Sequence, residues 1–185
     1  NELLSIFIKL FGQVPEAIGP MFQQYFRNAT LLVIEDPSSG STILEIGRVL
    51  AEKNFRDLKL SRSQNIVVNQ FWTEVAEKAG GEGELRNMVP YITSKTDNFV
   101  ANEIMRPIIA QQKSAFNFRD IIDNRKILLV NLSKGRLGEI NSSFIGLIVV
   151  GKLLMAAFSR VDIPEQERTD FYLYIDEFQN VTTPP

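Results

Sequence analysis

Asp176 and Glu177 are the residues of this chain whose types and position best suit chemistry. They close the apolar and aromatic run Phe171-Tyr172-Leu173-Tyr174-Ile175. A buried central strand of a parallel sheet reads as a near-continuous hydrophobic run. The carboxyl end of such a strand faces the crevice where α/β proteins bind ligands. Two carboxylates placed there call for a cationic counterpart, because buried charge is costly without one. This is the arrangement of a Walker B motif: the Asp orders a magnesium ion, and the Glu positions and polarises a water for attack on a phosphate. The competing reading is a strand that runs into a solvated acidic turn.

Cations that could meet a phosphate are few. Ser133-Lys134-Gly135-Arg136 follows the apolar run Lys126–Leu132, and Lys134 or Arg136 at that end could reach a nucleotide phosphate; an ordinary exposed loop explains them equally well. Gln179, two residues beyond the acids, suits either a γ-phosphate sensor or a turn cap. Lys53, Arg56, Lys59 and Arg62 recur every third residue. On a helix they would form a basic stripe able to touch nucleic-acid phosphates, although Glu52 and Asp57 among them favour a solvated helix. Phe71-Trp72 could stack bases, but with Val68 and Val75 at helical spacing the pair reads as core. Gly146-Leu147-Ile148-Val149-Val150-Gly151-Lys152 matches the start of a P-loop. It lacks the Ser or Thr that must follow the Lys, and its four intervening residues are apolar, so it reads as a helix face.

Composition narrows the chemistry. The 185 residues are 44% hydrophobic and 23% charged with a net charge of −2, which suits a globular chain without a global basic field. There is no Cys, hence no disulfide, thiolate nucleophile or cysteine zinc site. There is also no His, which removes imidazole ligands and Ser-His-Asp triads. Catalysis must then rest on carboxylates, Lys, Arg or a metal ion. The longest apolar stretch, Phe144–Phe158, is interrupted by Lys152 and is expected to be too short and broken to span a bilayer. No basic leader with a cleavage site opens the chain. It starts without Met and stops just past the acidic motif, as expected of a piece of a longer protein.

The positioning elements fall into two halves. Helical spacing is expected from Leu3 to Phe11, from about Met21 to Glu35, after the capping-box residues Thr42 and Glu45, from Asn65 to Ala79, and from Tyr91 to Met105. Pro15 with Pro20, Gly80–Gly83 and Pro90 are expected to punctuate these helices. The second half changes character: a strand over Lys126–Leu132, a helix from Asn141 to about Arg160, and a strand over Phe171–Asp176. That order predicts a βαβ unit and an α/β fold class, with an all-helical domain over 1–116 and a partial nucleotide-binding domain over 117–185.

The segments Tyr25-Phe26-Arg27-Asn28-Ala29, Phe55-Arg56, Gln70-Phe71-Trp72, Lys126-Ile127-Leu128-Leu129-Val130-Asn131-Leu132-Ser133-Lys134-Gly135 and Tyr172-Leu173-Tyr174-Ile175-Asp176-Glu177-Phe178-Gln179-Asn180 occur in that order. In this the chain resembles the FtsK–HerA class of P-loop ATPases, most closely the coupling proteins of type IV secretion and conjugation (TraG/TraD-like). The resemblance implies a fragment of a RecA-like P-loop NTPase carrying a large all-helical insertion. It makes Asp176 the magnesium-ordering acid and Glu177 the water-activating one, and it implies ATP and Mg2+ as cofactors. It further implies a homo-hexameric motor moving DNA or secreted protein, partnered by a relaxase or secretion-channel proteins, in the cytoplasm at the inner face of the membrane. The family's Walker A segment is missing from the chain, which implies that this piece is inactive alone. A reading of another class is a non-catalytic helical docking module that recognises a relaxase, an effector or another protein.

Overall fold

A computed structural model describes residues 2–12, 17–79 and 81–181. Pro15, Gly80 and the tail after Val181 lie outside the described residues. The chain divides into two compact units, one of Phe11–Gln112 and one of Glu2–Leu10 together with the chain from Lys113 onward.

The first unit is helical. Its helices are α2 (Pro20–Glu35), α3 (Ile43–Ala51), α4 (Lys53–Arg62), α5 (Ile66–Gln70), α6 (Gly81–Val100) and α7 (Met105–Ile109), numbered after α1 (Glu2–Phe11). On α2, Phe22, Tyr25, Phe26, Ala29, Leu32 and Val33 share one buried face, the spacing that a half-buried helix requires. α3 opens with a complete capping box: Thr42 Oγ1 accepts from Leu44 N at 3.2 Å and Glu45 Oε2 accepts from Thr42 N at 2.7 Å. α3 packs against α2, α4 and α6. α5 passes directly into a π-helical stretch, Phe71–Ala79. Trp72 on it is fully buried, with Tyr25 and Phe71 meeting it edge-on at ring separations of 6.5 and 5.3 Å. The pair Phe71-Trp72 is therefore core and offers no ring face for stacking. Pro90 lies inside α6 and does not end it.

In the second unit, α10 (Glu139–Phe158) is the central element. α8 (Phe118–Asp123) packs against it, placing Ile122 with Leu153 and Ala156. Phe7 of α1 meets Phe144 of α10 edge-on at 6.0 Å. With its following turn, Glu139–Asp162, this helix is long enough to cross a membrane, and its most apolar 18-residue window has a mean hydropathy of 1.9. The helix begins five residues before the apolar stretch Phe144–Phe158 and ends with it. Phe144, Leu147, Leu153 and Ala156 are buried as in a core helix of a folded unit.

The expected α/β class is overturned. Among the described residues there is no β-strand, and the chain is all-α. The two segments expected as strands, Lys126–Leu132 and Phe171–Asp176, lie in non-helical stretches, 126–133 and 168–175 with a turn at Asp176, and no backbone hydrogen bond joins them. Leu128 and Phe171 pack towards α10, whereas Ile127, Leu129, Tyr172 and Tyr174 are 71–89% exposed. The physical reason is pairing: an apolar run of strand length becomes a strand only when a neighbour satisfies its backbone, and two such runs make a poor sheet on their own. Here an open gap lined by both segments separates them.

Candidate functional site

α10 is the floor on which the ends of the two non-helical segments meet. The first is anchored where Ser142 Oγ donates to Leu132 O at 2.7 Å. It turns through Ser133, whose N–H donates to Asn131 Oδ1 at 3.1 Å, into the short helix α9 (Lys134–Leu137). The second ends in the turn Asp176-Glu177, continues as a 3-10 turn, Phe178–Asn180, and buries Val181. Gly146 makes this approach possible: a Cβ there would overlap Val181 Cγ1 and lie 3.0 Å from Leu132 Cδ1. The P-loop-like stretch Gly146–Lys152 lies inside α10, so its amides belong to a helix and form no phosphate cradle.

Between the segments and α10 lies a cleft of about 550 Å³, with Leu128, Val149 and Leu153 at its apolar end and Ser133, Lys134, Asp176 and Glu177 at its polar mouth. That size is typical of a small-molecule pocket. At the mouth, Lys134 Nζ lies 2.7 Å from Glu177 Oε2, and Asn180 Nδ2 donates to the same oxygen at 3.0 Å. The Lys134 hydrogen bond and its charge hold the Glu177 carboxyl below its ordinary pKa, and Glu177 in turn raises Lys134. Glu177 has a left-handed backbone, φ 52° and ψ 45°. Side chains other than Gly, Asn and Asp take up that conformation rarely. Asp176 lines the same mouth and makes no hydrogen bond or ion pair among the described residues.

The structure thus brings together three of the expected site residues: Asp176, Glu177 and Lys134. Arg136 on α9 and Gln179 are exposed and stand outside the cleft lining. The residue that sequence reasoning missed is Asn180; its signal was a Glu-x-x-Asn spacing, which one 3-10 turn folds back on itself.

The basic residues of α4 do not form a stripe. Lys59 is fully buried and its ammonium donates to Val33 O at 3.0 Å, Asp36 O at 2.7 Å and Gly40 O. Burial pushes its pKa down. Arg56, 1% exposed, donates to Val49 O at 3.0 Å and Leu50 O at 3.3 Å and pairs with Glu77. Each cation closes the carboxyl end of a helix, Lys59 that of α2 and Arg56 that of α3, where orphan carbonyls and the helix dipole favour positive charge. Lys53 pairs with Asp57 and Glu77, and Arg62 with Asp36. The nucleic-acid stripe over Lys53, Arg56, Lys59 and Arg62 is corrected accordingly: period three put two of the four inside.

The described residues hold no group of three or more His, Cys, Asp or Glu side chains able to grip a metal. Asp176 offers a carboxylate at the mouth that no described side chain engages, and a magnesium ion bound by one carboxylate, waters and ligand phosphates needs no more from the protein. Comparison of the chain with family models, with curated proteins and with solved structures gives no match.

Proposed function

We propose that this chain is part of an ATP-driven translocase of the type IV secretion and conjugation coupling type, a homo-hexamer moving DNA or secreted protein, with Asp176 and Glu177 as its hydrolytic acids. What supports the reading is the convergence of Lys134, Asp176 and Glu177 at one cleft mouth from segments 43 residues apart. Asp176 would hold Mg2+, which when bound neutralises charge on the phosphates. Glu177, ionised at neutral pH, orients a water for in-line attack through its carboxylate oxygens. Lys134 supplies the positive charge that faces a γ-phosphate.

Turnover by Asp176→Asn in the protein that carries this chain tests the reading. The expected result is a magnesium requirement shifted upward and turnover lowered about a hundredfold. An unchanged magnesium dependence would refute it.

A second reading, a helical docking module for a relaxase or effector, draws on the first unit. It has its own core and exposes Ile66 and Val67 at 71% and 72%. Loss of capture of a relaxase by Ile66→Glu, with ATP turnover intact, would favour it.

A further inference from the structure

We infer that the Lys134–Glu177 ion pair is a phosphate-responsive latch: a polyphosphate entering the cleft takes Lys134, and Glu177 is thereby released to serve the site. The inference rests on the proposed phosphate-cleaving role of the cleft and adds how that site is held idle.

Three observations carry it. First, the only cation at the cleft mouth among the described residues is already spent on the carboxylate that the chemistry needs free. Glu177 engaged through Oε2 with both Lys134 and Asn180 is poorly placed to orient a water with that oxygen. Secondly, the pair is weak enough to exchange. Its side chains are 42% and 56% exposed, and exposed ion pairs contribute little. A polyphosphate offers Lys134 several strong acceptor oxygens and more charge than one carboxylate. Thirdly, Glu177 sits in a left-handed backbone within a turn closed by Asn180 N donating to Glu177 O at 3.0 Å. Such a conformation persists when its surroundings over-determine it, and the Lys134 and Asn180 contacts are those surroundings. Removal of one of the two lowers the restraint on the Glu177 side chain while Asn180 keeps the turn closed.

Competition fixes the sign of the effect. Freeing Lys134 by neutralising Glu177 must strengthen anion binding beyond what the loss of one negative charge does. Asp176→Asn removes a neighbouring charge without touching Lys134 and measures that background. The experiment is a titration of the full chain with tripolyphosphate, followed by amide NMR shifts of Ser133, Lys134 and Asn180. Millimolar binding is expected for the unaltered chain, about fivefold tighter binding for Glu177→Gln, no more than about twofold tighter for Asp176→Asn, and loss of binding for Lys134→Gln. Equal gains from Glu177→Gln and Asp176→Asn would overturn the latch and leave the phosphate reading standing. No shift in any variant would overturn both.

Discussion

Lys134 and Glu177 meet at 2.7 Å although 43 residues and the whole of α10 separate them in the chain. The contact joins the ends of two non-helical segments that share no backbone hydrogen bond. Side chains and the packing of Val181 on Gly146, not a sheet, therefore hold the acidic turn beside its cation.

Gly146→Val should disturb the site from beneath. The added Cβ alone overlaps Val181, and overpacking of this kind costs about 1–3 kcal/mol. The expected outcome is a lower melting temperature together with displaced amide resonances of Glu177 and Asn180. Unchanged resonances would show that Val181 does not anchor the turn.

Lys59→Met should destabilise the first unit. It keeps the stem but strips Val33 O, Asp36 O and Gly40 O of their common donor. Buried carbonyls left unsatisfied cost about 1–3 kcal/mol each, and a net loss of about 3 kcal/mol by urea unfolding is expected. A loss no larger than that of Lys53→Met, at a half-exposed position paired with Asp57, would contradict the capping role.

Acid should loosen the same region through Asp36. Ser38, Ser39 and Arg62 hydrogen bonds, in that order, hold its carboxyl well below the ordinary Asp range. A carboxylate whose folded pKa is depressed stabilises the fold above its unfolded pKa of about 4, and that contribution fades as pH falls below it. Melting temperatures of the chain should therefore drop from about pH 4 downward, and Asp36→Asn should flatten this part of the profile. An identical slope in the variant would count against the assignment.

ATP should not bind this chain with micromolar affinity, because Gly146–Lys152 is a turn-free part of α10. Isothermal titration with ATP and magnesium checks this, and the Lys152→Ala variant should behave identically. Micromolar binding abolished by Lys152→Ala would mean that the stretch can act as a phosphate cradle after all.

Most of the helical half was legible because its signals are local. The 22/25/26/29/32/33 face of α2 and the Thr42–Glu45 capping box depend on residues three and four apart. The fold class was misread because a strand is not a local object: Lys126–Leu132 and Phe171–Asp176 have the composition of strands but no paired backbone. The fate of Arg56 and Lys59 was equally hidden, since period three says which residues share a helix face and not whether that face covers the carboxyl ends of α2 and α3. At the site, residue types singled out Lys134, Asp176 and Glu177, while their mutual distance and the role of Asn180 came only from the folded chain.

The measurement that bears most directly on the account is ATP hydrolysis by Glu177→Gln in the protein that carries this chain, expressed per bound nucleotide. With the carboxylate proposed to orient water gone and nucleotide still held, turnover should fall about a hundredfold or more. Near-normal turnover with normal nucleotide occupancy would contradict the placement of Glu177 at the site of phosphate cleavage.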